Sequence, residues 1–472
     1  MQAMNTLAFD PADPRAALGA LPEQAAVFAL YGAEAKDEPY VGRTPNLRMR
    51  LKRLLTPSEK HPRRLQLAGR VRRIEWRLSG SEFESLLVQF SLLDEVFGAE
   101  KALERMHLRA PVFVRYMGGN RYPRLSVTTR PGQRESGWAY GPFASRAAAD
   151  RFVDEALKLF LLRRCVEDLE PDPRHPGCVY SEMKMCLAPC FGGCSDERYA
   201  EEAEHVEQFL ATRGESRLVE LRAARDRASE GLEFEEAAAA HAQVLRVESI
   251  AALAPELVQP LNRLRALLLE ASAEPGEVTV FLFEEGELRG PAGFSTLGMR
   301  IQNEQSGSSS LFAQPVALEA VPEEKGREQT TENREQTTEN RAQRAESREQ
   351  STENSEQGTE SREQRAERTE RGAECGAQSA DLSAPGRERQ KVAKGLLEAR
   401  FDEVLRRLLA APAAGSPAQR QAHLALLKRW YYRPEAKRAG EIFFPAADGS
   451  WPVKAILRGI GRVAARTLGA AS

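Results

Sequence analysis

Residues 26–55 read AVFALYGAEAKDEPYVGRTPNLRMRLKRLL, and the character of the N-terminal domain follows from this stretch. Ala26 to Tyr31 and Glu38 to Arg43 read as two short strands joined by a polar loop. Asn46 stands immediately before Leu47 to Leu55, where its side chain can accept from an unpaired amide of a helix's first turn. Arg48, Arg50, Lys52 and Arg53 then crowd that one helix with cations. The basic run continues beyond it: from Arg43 to Glu75, eleven Lys or Arg stand against two acids, Glu59 and Glu75. Such a density attracts a polyanion and makes binding salt-dependent, although a solvated basic face reads the same way.

The charge is local. The 472 residues carry 67 Lys or Arg and 69 Asp or Glu, a formal net charge of -2, so the total identifies no partner. At roughly 150 residues per domain the length suggests about three domains. No apolar run reaches the ~18 residues of a membrane span, and Met1 to Asp13 has neither the basic start nor the apolar middle of a secretory signal. A soluble cytoplasmic protein with no membrane partner is expected.

Five of the six cysteines, Cys165, Cys178, Cys186, Cys190 and Cys194, follow the pattern C-x12-C-x7-C-x3-C-x3-C. The paired CxxC units of a zinc ribbon are missing. In a reducing compartment the close, irregular spacing leaves open an iron–sulfur cluster, zinc, or buried unligated thiols. From Arg327 to Glu374 a seven-residue repeat places glutamate at Glu332, Glu339, Glu346 and onward to Glu374. Its would-be core positions hold only Thr, Ala, Arg, Gln and Ser, so it cannot bury a coiled-coil seam and reads as a disordered linker.

On either side of that linker lie helical segments from Tyr199 to about Ala273, a strand at Glu277 to Phe283, and amphipathic helices at Ala399 to Ala410 and Ala418 to Tyr431. Gly440 to Trp451 suggests a hairpin, and Leu457 to Leu468 weakly suggests the turn and second helix of a helix-hairpin-helix. Arg420 to Arg466 holds ten Lys or Arg and three acids, interleaved with Trp430, Tyr431, Tyr432, Phe443, Phe444 and Trp451. These aromatics suit the core of a small domain, or else stacking on single-stranded nucleic acid.

The order Val27-Phe28, Tyr40-Val41-Gly42-Arg43, Asn46-Leu47-Arg48-Met49-Arg50 resembles the GIY-YIG nuclease domain. It is most similar to the version in the UvrC component of the bacterial excision nuclease and its short homologue (Cho). The resemblance implies that Tyr40, Arg43 and Arg50 surround a scissile phosphate, while the local basic excess points to Arg48, Lys52 and Arg53 as DNA contacts. It also shows two departures: Phe28 stands where a tyrosine is implied, and Gln89 where a glutamate would hold a divalent metal. Glu84 substitutes for that ligand only if the helix register differs. Tyr140-Gly141-Pro142-Phe143, then Cys165, Pro176-Gly177-Cys178, Met185-Cys186-Leu187-Ala188-Pro189-Cys190 and Tyr199, resemble the same family's cysteine region. The resemblance implies that Cys165, Cys178, Cys186 and Cys190 bind a [4Fe-4S] cluster, with Cys194 as a spare or alternative ligand. Leu232 to Ala238 resembles the helical hairpin that joins UvrB to UvrC, with His241-Ala242 where Arg-Asp is usual.

The expected fold class is α+β. Its parts are a GIY-YIG-like α/β domain (20–115), a cysteine-rich iron–sulfur module (116–198), a helical partner region (199–273), a short β-containing segment (274–322), a disordered linker (323–392) and a small C-terminal α+β region (393–472). The expected function is DNA binding in nucleotide excision repair alongside the excision-nuclease components UvrB and UvrA, with incision weak or lost. The alternative is an active endonuclease that uses Mg or Mn to cut near lesions.

Overall fold

Short strands buried on one or both faces need partners for their backbone groups, and here they find them in three antiparallel sheets. The computed structural model describes residues 4–34, 36–56, 67, 69–130, 138–167, 169–297, 299, 384–413 and 415–471. Residues 1–303 and 391–472 fold as one unit. The heptad repeat and Cys375 lie outside the described residues, as does most of the expected linker.

The first sheet contains β1 (Asn5–Ala8), β2 (Ala26–Tyr31), β3 (Tyr40–Thr44) and β4 (Arg73–Leu78), in the order β1-β4-β2-β3. Helices α1 (Pro14–Gly19) and α2 (Leu47–Leu55) come before β4, and α3 (Glu82–Phe97) and α4 (Ala99–Arg105) after it. Alternation along β2 assigns its two faces. Phe28 and Leu30 pack with Leu47 and Leu51 of α2, whereas Val27 packs with Val88 and Leu92 of α3. As the sequence suggests, Asn46 caps α2, its side chain accepting from Met49 N at 2.9 Å.

The second sheet, in the order β6-β5-β7-β8, comprises β5 (Val112–Tyr116), β6 (Leu125–Thr128), β7 (Trp138–Phe143) and a two-residue β8 (Gln259–Pro260). Helix α5 (Arg146–Ala156) and the short α6 (Val179–Glu182) lead to α7 (Asp196–Ala211). Tyr140, Phe143 and Phe152 stack in its core with Tyr199 and Val206 of α7. Helices α8 (Glu215–Glu230) and α9 (Phe234–Ala251) then pack along each other, leaving Leu232 and Phe234 at the turn about 70% exposed.

The third sheet departs most from expectation. β9 (Ala266–Ala271) is a strand inside the stretch read as helical to Ala273. Its Leu- and Ala-rich sequence favours helix locally, but burial on both faces of a central strand overrides that preference. β10 (Glu277–Glu284) and β11 (Glu287–Ser295) follow, then, after the repeat, α10 (Ala384–Ala410), α11 (Pro417–Tyr431), β12 (Glu441–Phe443) and α12 (Val453–Ala471). The helix α10 therefore begins before residue 392, where the linker was expected to end. β12 pairs with β9 in the order β11-β10-β9-β12, so 274–322 and 393–472 do not form separate regions. One face of β9 buries Leu267 and Leu269 beneath Phe401 of α10 and Ile456 and Ile460 of α12. The other buries Leu268 with Leu427 and Trp430 of α11 and Phe83 of α3.

Two smaller readings are corrected. The stretch Gly440 to Trp451 is not a hairpin, because its one strand, β12, pairs with β9 instead. Leu457 to Leu468 is continuous helix: Gly459 and Gly461 lie within α12, where an apolar face packed on the sheet outweighs their low helix propensity. Trp430, by contrast, belongs to the core as expected, and Tyr431, Tyr432 and Phe444 pack partly buried against the same cluster. No helix among the described residues is long and apolar enough to cross a membrane.

Glu270 lies on the Trp430 side of β9, 1% exposed, and accepts from the Trp430 indole N–H. Burial pushes its carboxyl up to about 7, against the hydrogen bonds from Trp430 and Ser81 and the charge of Arg433, while Glu84 adds to the rise. A carboxyl raised on folding binds its proton more tightly in the folded state. Its contribution is thus complete below the unfolded value near 4.5 and is lost as pH rises to about 7. Glu270→Gln is therefore expected to be more stable than wild type at pH 8, with the difference shrinking toward pH 4.5. Urea melts at the two pH values check this; a gap independent of pH would contradict it.

Candidate nucleic-acid interface and cysteine centre

The predicted phosphate-contact residues fall on two faces of one sheet. Tyr40 faces α2, and Arg50 Nη2 approaches its hydroxyl at 3.4 Å. Phe28 lies on the same face, fully buried, with its ring centroid 6.1 Å from that of Tyr40. It pairs with Gly42, where an added Cβ would come within 2.8 Å of Phe28 Cζ, so only glycine admits this ring. Arg43 points to the opposite face and meets Glu82 of α3, Nη1 to Oε1 at 3.7 Å. Gln89, half-buried, follows Glu82 on the same helical stripe, seven residues or about two turns along. The expected cluster is thus divided between the faces, with Tyr40 and Arg50 on one and Arg43 and Gln89 on the other. Both groups flank β3, which is the edge strand.

The local carboxylates are already engaged. Glu84 is 5% exposed, accepts from Gly80 N at 2.9 Å and pairs with the buried Arg77 at 3.6 Å. Burial raises its pKa in spite of both contacts. Glu82 takes a two-pronged pair from Arg433, at 2.6 and 2.8 Å. The Arg433 hydrogen bonds, and the charges of Arg433, Arg43 and Arg429, hold its carboxyl below the usual range against a smaller effect of burial.

The basic helix also divides. Arg48 is half-buried, donating through Nε to Leu21 O at 2.6 Å and through Nη1 to Glu23 at 2.7 Å. Its guanidinium stitches α2 to the preceding loop. Lys52 and Arg53 are exposed and form no ion pair with any described residue. Residues 57–66 of the basic run, including Lys60, Arg63 and Arg64, lie outside the described residues.

In the cysteine region, buried polar anchors hold the loops. Arg163, 3% exposed, donates through Nε to Tyr122 O and through Nη1 to Glu167 O, and its Nη1 lies 3.5 Å from Cys165 Sγ. Tyr199 accepts from Arg163 N and donates to Pro123 O. Asp172 N donates to Cys190 O, and Leu187 N to Leu161 O. Cys178 caps the first turn of α6, and the Ser181 amide lowers its pKa despite some burial. Burial pushes the Cys186 thiol up, and the neighbouring Cys178, Cys190 and Cys165 push it further. Burial likewise raises Cys190, reinforced by Cys178 and Cys165. Cys194 is raised by burial and then by Asp196. All five are free thiols. Among the described residues, no group of three or more His, Cys, Asp or Glu is arranged to hold a metal ion.

Residues 112–209, from β5 through the cysteines into α7, match the UvrC/Cho excinuclease middle domain. UvrABC system protein C of Pseudomonas aeruginosa is 31% identical over 232 residues, which is 49% of this chain and 38% of that protein. The protein of the same name from Carboxydothermus hydrogenoformans is 29% identical over 280 residues, 59% of this chain and 45% of its own length. That of Pseudomonas protegens is 29% identical over 235 residues, 50% of this chain and 38% of its own. The chain spans less than half the length of these relatives. No solved structure matches. Over about half its length, the chain is UvrC-like.

Sequence reasoning missed Glu82, Arg429 and Arg433, which have no local signal because 351 positions separate Glu82 from Arg433. The division within α2 has a direct consequence for stability. Arg48→Ala is expected to cost about 1 kcal/mol, since it leaves Leu21 O without its donor. Lys52→Ala and Arg53→Ala should each stay within about 0.5 kcal/mol of wild type. Chemical denaturation of the three variants measures the contrast.

Proposed function

We propose that this chain is a DNA-binding protein of nucleotide excision repair, acting in the cytoplasm, with its incision chemistry weak or lost. The observation that carries this is Phe28: a fully buried ring beside Tyr40 in a UvrC-like chain, where the resemblance implies a second phenol. A phenyl ring can neither accept nor relay the proton of an attacking water. Gln89 adds to the loss, because a neutral amide is a poorer ligand than a carboxylate for a hard Mg or Mn ion. Neither neighbouring carboxylate is free to take its place, Glu84 being buried with Arg77 and Glu82 being held by Arg433.

Binding survives these losses. Arg50 beside Tyr40, together with exposed Lys52 and Arg53, supplies donors for phosphates. Cys165, Cys178, Cys186 and Cys190 would hold a [4Fe-4S] cluster, with Cys194 outside the set. When bound, the cluster cross-links loops that Arg163 and Tyr199 already gather. Exposed Leu232 and Phe234, at the turn of the α8–α9 hairpin, support docking to UvrB of the excision nuclease, and through it to UvrA.

The test for incision combines the purified chain, UvrA, UvrB, a damaged duplex and millimolar magnesium or manganese. Wild type should not nick, and Gln89→Glu combined with Phe28→Tyr should restore detectable cutting. Robust wild-type cutting that Arg50→Ala abolishes would establish the active endonuclease instead. For the cluster, anaerobically purified protein should be brown and hold about four irons per chain. Cys186→Ser should bleach it, whereas Cys194→Ser should not. Stoichiometric zinc without iron would refute the assignment.

A further inference from the structure

Glu82, the first residue of α3, gathers arginines from two distant parts of the chain. Arg433 occupies both carboxylate oxygens, Nη1 to Oε2 at 2.8 Å and Nη2 to Oε1 at 2.6 Å. Arg43 of β3 and Arg429 of α11 each stand 3.7 Å from Oε1, outside hydrogen-bond reach. Three guanidiniums against one carboxylate leave two positive charges in excess. The side chains of Arg43 and Arg429 are 39% and 44% exposed. Neither forms an ion pair with any other described residue.

We propose that Arg43 and Arg429 together form a phosphate-binding pair for duplex DNA, with Glu82 and Arg433 as its positioning residues. The C-terminal helix α11 thereby belongs to the same DNA-contact surface as β3. This rests on the DNA-binding reading above and extends it to a part of the chain that reading did not use. A planar guanidinium presents two parallel donors to phosphate, and holding two of them beside one anchor reduces the rotamer freedom lost on binding. Glu82 does not repel the phosphate outright, because the two-pronged pair with Arg433 already offsets its charge. A purely structural role is a poor account of Arg429, since exposed ion pairs at such a separation contribute little stability.

The test is anisotropy of a labelled 30-base-pair duplex with the full-length chain over a series of KCl concentrations. Arg429→Ala should weaken binding and flatten the plot of log affinity against log salt by about one unit. Arg429→Lys should keep the slope, and Arg43→Ala with Arg429→Ala should flatten it by about two units. Lys52→Ala with Arg53→Ala serves as the reference for the parent reading. A wild-type slope in Arg429→Ala, while the Lys52/Arg53 variant flattens, would overturn the pair and leave DNA binding standing. Duplex binding by wild type that is absent, or independent of salt, would overturn both. Thermal melts of each variant should match wild type within a few degrees, and a slope change seen only in an unfolded variant would count against the pair.

Discussion

The structure depends on burying β9 from both sides. Leu267 and Leu269 on one face, and Leu268 on the other, are inaccessible to water, and each face needs its own covering layer. At about 25 cal/mol per Å² of apolar surface, three buried leucines drive that covering more strongly than any single polar contact nearby. The covering helices lie beyond the heptad repeat, so the two flanks of that repeat meet in one sheet. Helix α3 of the N-terminal part packs into the same core through Phe83, Leu86 and Leu87. The sheet that carries Tyr40 and Arg43 is therefore tied to the C-terminal helices by shared apolar burial.

Polar groups specify how those layers meet. Arg77 with Glu84, and Ser79 with Ser85, pair in the interior between β4 and α3. Glu270 is carried into the same region by β9 and finds the Trp430 indole and Arg433. A buried charge pair contributes little net stability, yet breaking one partner is costly, which favours one arrangement over its neighbours. At the rim of this region Glu82 becomes the shared anchor of Arg43, Arg429 and Arg433. The same packing that completes the core thus sets a pair of half-exposed cations side by side.

The cysteine region follows a different logic. Its loops have little regular structure between α5 and α7, and their order comes from Arg163, Tyr199 and backbone contacts such as Asp172 N to Cys190 O. Those anchors hold the loops that carry Cys165, Cys178, Cys186 and Cys190. This is the stretch that matches the UvrC/Cho middle domain.

The sequence by itself determined what is local. The strands at 26–31 and 40–44, the Asn46 cap, the helix Leu47–Leu55 and the grouping of cysteines all depend on neighbours within a few positions. That Phe28 stands where the resemblance implies a phenol is likewise legible without coordinates. Only the tertiary structure decided that Ala266–Ala271 is a strand, because its Leu-rich run suits a helix until two hydrophobic layers enclose it. It alone showed that Arg48 is engaged by Leu21 O and Glu23 while Lys52 and Arg53 form no ion pair among the described residues, a division that helical periodicity and charge could not make. Strand alternation sent Arg43 to the face opposite Tyr40, and Glu82 met Arg433 across 351 positions. Contacts between residues so distant in sequence arise from the shape of the packed core, which no window of sequence contains.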